Sequence, residues 1–293
     1  MAMSPRLLRP IASGVHPEAA AWRSAVVANG GSVSASTVKA VSTFCAAIDA
    51  ASLRDRFYRL NLFAGTGLNA ALVPLYRGPT YGGTTYGNTT DTNNGPFVSV
   101  DYVETGASGG LKGNGTSKYL DTGFTPDDFA SQTSVHLSMS GTSLETASNP
   151  NNSTGDRFAV GSFNGPDGTL YDLSIAAYYP PADQRASRMS SFTRAGFSAT
   201  GRASESLLVG SRTGSNLLTL YADKTSVGTD LAGVTASGST RPFFVFALNL
   251  SGTAGVFTAA RLRAYSIGSG LTSSQVAAFT DAVSDFHTAL GRS

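Results

Sequence analysis

Beyond Pro96 the chain breaks into short runs of strand character, each closed by turn residues, and that rhythm limits the fold more than anything else in the sequence. The runs fall at 97–102, 135–139, 158–163, 170–178, 207–211, 217–221, 243–250 and 261–267. Leu173 and Ile175 alternate onto one side of their run, and Arg212-Thr213-Gly214-Ser215-Asn216 reads as a hairpin turn between two others. The 243–250 run is apolar on both faces, which predicts a central position in a sheet. About eight strands with frequent turns predict an antiparallel β-sandwich or jelly roll rather than a parallel sheet.

The first 77 residues read differently. Pro17 and Glu18 suit a first helical turn, and Ala19, Trp22 and Val26 recur at helical spacing before Gly30 and Gly31. A second helix fits from Ser36, with Val38, Val41, Cys45 and Ile48 on one face. Leu53, Phe57, Leu60, Leu62 and Phe63 form a dense apolar stretch, and residues 72–76 a short extended or docking segment. Gly, Thr, Tyr, Asn and Asp then dominate 78–96, so a boundary is expected near Gly78: a helical anchoring module over 1–77 and a sandwich over 78–293. The sandwich closes with a helix. Thr272 and Gln275 have capping-box spacing, and Val276, Phe279, Val283, Phe286 and Leu290 form a stripe expected to pack on its own chain.

Composition excludes several functions. A net charge of +2 argues against nucleic acid as the main partner. The densest basic run, Arg54, Arg56 and Arg59 beside Asp55, reads as a solvated helix face. Arg6 and Arg9 precede no sustained apolar run, so neither a leader nor a membrane helix is expected, and folding in a cytoplasm is. Cys45 is the single cysteine and reads as a small buried hydrophobe.

Catalytic chemistry finds little to work with. His16, His136 and His287 lack ligand spacing, so no metal is expected; His136 and His287 read as solvated or internally satisfied, the latter off its helix's apolar stripe. Four glutamates, Glu18, Glu104, Glu145 and Glu205, form no paired-acid run, and Asp101 and Glu104 would point to opposite faces of a strand. Asp167, Asp172 and Asp183 are left as acids that only the fold can bring together. No nucleophile elbow appears, and residues 111–118 read as a glycine turn rather than a phosphate loop. Asp91-Thr92-Asn93-Asn94-Gly95 reads as a plain turn rather than a calcium loop. The expectation is a protein without cofactor, metal or catalytic residues. Ligand or interface loops are instead expected at Tyr81, Tyr86, Asn88, Asn93 and Asn94, and at Tyr178 and Tyr179, because aromatic faces beside amides suit both sugars and protein surfaces.

Two stretches carry a resemblance. One runs Gly109-Gly110-Leu111-Lys112-Gly113-Asn114-Gly115-Thr116 and on through Asp121-Thr122-Gly123. The other runs over 261–292 through Tyr265-Ser266-Ile267-Gly268, the turn Leu271-Thr272 and Ala289-Leu290-Gly291-Arg292. Together they resemble the concanavalin A-like, laminin-G-like lectin sandwich of tailed-bacteriophage virion proteins, in which a strand leads through a Leu-Thr turn into a closing helix. Residues 22–31, 34–48 and Arg59-Leu60-Asn61-Leu62-Phe63-Ala64-Gly65 are similar to the helical start of such proteins. The resemblance implies a non-enzymatic virion protein assembled in a bacterial host's cytoplasm: a capsid decoration, cement or head-fibre protein, with a tail-fibre or baseplate module binding host glycan as the alternative. Its implied partners are copies of itself, with a trimer expected, and the major capsid protein or other virion proteins. Fold alone does not choose between the roles.

Overall fold

A computed structural model describes residues 14–142, 157–164, 171–179, 184–189, 195–198, 207–231, 233 and 238–292. The helices begin where the sequence supplies caps. Helix α1 (Pro17–Ala28) follows His16, whose imidazole accepts from the Glu18 N–H, and α2 (Ala35–Ala50) follows Ser34, whose hydroxyl accepts from the Thr37 N–H at 3.0 Å. The chain then makes a single 3-10 turn at Arg54–Arg56 and enters β1 (Phe57–Asn61), and α3 (Leu68–Ala71) follows.

Short strands come next: β2 (Thr92–Asn94), β3 (Tyr102–Val103), β4 (Gly110–Lys112) and β5 (Tyr119–Asp121). Longer ones follow: β6 (Val135–Thr142), β7 (Arg157–Asn164), β8 (Tyr171–Tyr179), β9 (Gln184–Met189), β10 (Ala195–Ser198), β11 (Leu208–Gly214), β12 (Leu217–Ala222) and β13 (Thr225–Asp230). The chain finishes with β14 (Phe244–Val245), β15 (Leu248–Leu250), β16 (Thr253–Gly255), β17 (Arg261–Gly268) and α4 (Ser273–Ala289). Thr272 and Gln275 form the expected reciprocal cap of α4.

These strands make a β-sandwich. One sheet runs β13-β12-β11-β6-β17-β4-β3, with β1 also on β17; the other runs β10-β9-β8-β7-β14-β5-β2, with β15 and β16 attached at β7. Pairing is antiparallel except between β15 and β7. Val135, Leu137 and Met139 of β6 and Ile267 of β17 face Leu120, Val160, Ile175 and Val245 of the opposite sheet in one apolar core. Successive residues alternate faces along a strand, so Leu208 joins that core while Val209 joins a second one beneath the helices. The first sheet is therefore covered on both faces.

The helical layer is built from the predicted stripes. Val276, Phe279, Val283 and Phe286 of α4 and Leu290 at its C-cap are all buried, with Phe286 against Phe44 of α2 and Phe279 against Phe57 of β1, ring centroids 5.9 and 4.9 Å apart. Each such side chain contributes about 1.5–3 kcal/mol by leaving water. The α4 stripe thus packs on its own chain. Cys45 sits wholly buried in the same layer, and burial pushes its thiol pKa up to about 12. Thiol-exchange labelling is expected only after the fold opens; complete reaction within seconds in native buffer would contradict this.

Several local readings are corrected. Residues 97–102 are not a strand: a 3-10 turn at Ser99–Asp101 precedes the two-residue β3. The apolar stretch around Phe57 is a strand, buried at all five positions and hydrogen-bonded to β17. The glycine turn read within 111–118 stands, lying between β4 and β5.

Strand β1 lies before Gly78 and its partner β17 after it. A fragment of residues 78–293 would lose β1 and the α1–α2 cover of the first sheet, exposing Val209, Tyr221 and Ala264. It is expected to aggregate, or to lack the sharp thermal transition of the full chain. A soluble, cooperatively melting fragment in circular dichroism would contradict that.

Candidate functional site

The stretch over 78–96 is where the sequence places a site, and much of it holds itself together. Tyr86 is half-buried, its ring 5.5 Å from Tyr58 and 6.1 Å from Phe124. The Asn88 amide donates to Thr92 Oγ1 and to the Asp121 carbonyl at 3.0 and 3.2 Å. The Asn93 amide clasps Phe97, donating to its carbonyl at 2.9 Å and accepting from its N–H at 2.7 Å. Asn94 pairs with Tyr119 between β2 and β5. Tyr81 is different: it is 60% exposed. Tyr178 and Tyr179 end β8 on the other sheet, and their side chains lie outside the described residues.

Tyr81 stands at one end of a cleft between α1 and the loop. Its first part, about 220 Å³, is lined by Ala21 and Ala25 of α1 and by Pro74, Arg77, Thr80, Tyr81 and Thr85, with Glu18 and Arg54 among its walls. A second part, about 320 Å³, continues past Ala28 and Asn29 to Thr89 and Thr90. The two meet at Ala25, Pro74 and Arg77. Glu18 is neutralised by Arg54 at 2.7 Å, and the Arg54 guanidinium lies over the Tyr76 ring at 3.9 Å. Among the described residues the Arg77 side chain makes one hydrogen bond, from Nη2 to the Gly87 carbonyl at 3.3 Å, and its Nε is buried without a partner. Composition had marked the loop, but the alanine wall and Arg77 come together only in the fold.

Behind the cleft, a buried polar cluster pins the loop to the sheet. Arg59 and Asp91 are both 0% exposed, with Arg59 Nη2 2.6 Å and Nε 3.0 Å from Asp91 Oδ1. Tyr265 of β17 donates to the same oxygen at 2.7 Å, and Asn61 donates to Asp91 Oδ2 at 2.8 Å. Arg59 Nη1 reaches the carbonyls of Tyr86 and Asn88 at 3.4 and 3.1 Å. Burial acts on the Arg59 pKa downward, and the Tyr265 and Asp91 interactions outweigh it, so the net direction is up. Gly87 is required here: its φ is +68°, and a Cβ would stand 2.5 Å from the Thr122 carbonyl oxygen. The expectation of a solvated basic face therefore fails at Arg59, which lies on a strand in the interior. Asp91 is likewise no plain turn residue but its counter-ion.

Two serine–histidine pairs have the spacing of a nucleophile and its base. Ser266 Oγ lies 2.9 Å from His136 Nε2, with His136 Nδ1 2.6 Å from the Ser269 carbonyl; Ser140 Oγ lies 2.8 Å from His287 Nε2. A carbonyl accepts only, so the His136 proton sits on Nδ1 and its Nε2 accepts from Ser266. All four residues are buried between the first sheet and α4, where no substrate reaches them. His136 is internally satisfied, and burial pushes its pKa down to about 4. His287 is not off the buried face as expected; it is enclosed, and burial first and then Arg292 and Arg263 hold its pKa well below the ordinary value. These pairs are a structural seam.

Among the described residues, Asp101 and Glu104 are engaged separately. Asp101 pairs with Lys118, while Glu104 accepts from Thr37 Oγ1 at 2.6 Å and from the Gly65 N–H at 2.9 Å. Asp167, Asp183, Glu145 and Glu205 lie outside the described residues, as does the side chain of Asp172. His16, Glu18 and Asp49 hold ligand atoms within 4.8 Å of one another. His16 is spent on Asp49 and the α1 cap, and Glu18 on Arg54, so a cation there would meet an arginine. Among the described residues no helix is long and apolar enough to cross a membrane.

No protein-family model and no curated protein matches the chain. Among solved structures, it is similar to the binding domain of botulinum neurotoxin serotype D, with 8% identity over 78% of this chain and 52% of that one, at a TM-score of 0.46. It is also similar to the NanB sialidase of Streptococcus pneumoniae (12% identity, 58% and 27% covered, TM-score 0.43) and to the Trypanosoma rangeli sialidase (13%, 76% and 32%, TM-score 0.40). The chain spans less than two thirds of the length of each. At these identities and scores the likeness carries no functional argument.

Proposed function

We propose that this chain is a non-enzymatic structural protein of a tailed-phage virion, an oligomeric capsid decoration, cement or head-fibre component. One observation carries the non-enzymatic half: among the described residues, both serine–histidine pairs with nucleophile–base spacing are sealed inside the protein and used to hold it together. The virion half rests on the resemblance of residues 109–123 and 261–292 to phage sandwich domains. Self-association is supported by the outer helical face. There, α2 is flanked by grooves of about 440 and 280 Å³, lined by Val15, Val33 and Val38 on one side and by Ala40, Ala47 and Ala282 on the other.

The cleft at Arg77 and Tyr81 favours a second reading, recognition of a host glycan. Phage lacking this chain separate the two. Heads that assemble but rupture on heating support the architectural role, and intact heads that fail to adsorb to cells support recognition. Particles unchanged in both respects would overturn the virion proposal.

A further inference from the structure

We propose that the cleft between α1 and the 73–90 loop binds a carboxylate-bearing sugar, with Arg77 as the group that engages the carboxylate. This rests on the recognition reading and gives it a ligand class. Of the three charged side chains that line the cleft, Glu18 and Arg54 cancel each other at 2.7 Å, which leaves Arg77 as one uncompensated positive charge. Its guanidinium spends a single donor inside the protein, on Gly87. A planar fork with free donors matches a carboxylate in bidentate geometry.

The rest of the cleft is suited to a sugar ring. Thr80, Thr85 and Thr89 line it, and their hydroxyls donate to nothing among the described residues. The exposed Tyr81 ring and the alanines of α1 offer apolar surface to the C–H face of a pyranose. A bare inorganic anion would use Arg77 and leave that wall idle; a neutral sugar would use the wall and leave Arg77 unpaired. The loop is also held in place before any ligand arrives, since Arg59 grips the Tyr86 and Asn88 carbonyls from behind. Little ordering entropy is then lost on binding.

The test is titration of the full-length chain with D-glucuronate, D-glucose and inorganic sulfate, followed by calorimetry and saturation-transfer NMR. Glucuronate is expected to bind roughly tenfold or more tighter than glucose, the effect of one charge-assisted hydrogen-bonded contact. Arg77→Gln should erase that preference without moving the melting temperature, Arg77→Lys should recover it in part, and Tyr81→Ala should weaken both sugars. Equal binding of glucose and glucuronate, no binding of glucuronate, or an unchanged preference in Arg77→Gln would each overturn the proposal. Sulfate binding as tightly as glucuronate would reduce the site to a general anion site and overturn it too. Binding of neutral glycans that survives Arg77→Gln would leave the recognition reading standing while this cleft assignment fell.

Discussion

Arg59→Met is expected to cost about 3–5 kcal/mol of folding stability, whereas Arg56→Met, at an equally cationic position three residues earlier, should cost under about 1 kcal/mol. The two differ in what surrounds them. The Arg56 side chain is 35% exposed and faces an Asp55 carboxylate 3.5 Å away that is itself mostly in water. Arg59 and Asp91 are both fully removed from solvent. Without the guanidinium, the Asp91 charge stays buried with only Tyr265 and Asn61 donating to it, and the Tyr86 and Asn88 carbonyls lose their donor. Much of the loss is the penalty for that orphaned charge, so Arg59→Met with Asp91→Leu should lose less than the two single variants summed. Urea unfolding checks it: additive losses, or a wild-type midpoint in Arg59→Met, would contradict the account. The same variant releases the 78–90 loop, so it should also loosen the cleft at Tyr81.

The second large effect is acid sensitivity. His136 is held neutral in the fold with its pKa lowered to about 4, against an ordinary value of 6.5, chiefly because burial disfavours the imidazolium. Between those values the unfolded chain binds a proton that the folded chain does not. The contribution is therefore complete above pH 6.5 and is lost as pH falls through that window, by about 3 kcal/mol in all. His287 acts in the same direction. Thermal melts from pH 7 to 4 should show a steep fall for the wild type. In His136→Gln with His287→Gln the starting stability is lower but the slope over the same range is shallower. Parallel slopes would mean that carboxylates, not these histidines, set the acid limit.

Sequence pattern revealed the elements whose information is local. The α4 stripe and its Thr272–Gln275 cap lie within a few residues of each other, and so do the alternating faces of β6 and β17. Strand β1 was hidden because both its faces are buried, which removes the alternation that marks a strand. The two- and three-residue strands β2 to β5 are fixed by their partners across the sheet rather than by any pattern of their own. Arg59 read as a surface charge because its partner Asp91 lies thirty-two residues away. His287 was misplaced because its hydrogen-bond partner, Ser140, comes from a strand far back in the chain. For the site, loop composition identified Tyr81, yet nothing near Arg77 in sequence says that α1 will close a wall beside it. The amides of Asn88 and Asn93 looked available for a ligand and instead close the loop's own turns.

The proposal that this chain builds a particle rather than catalyses a reaction is tested most directly by its copy number in purified phage particles, measured by quantitative mass spectrometry against the major capsid protein. The account predicts many copies per head, in a fixed ratio to the capsid protein. Absence from purified particles would contradict it.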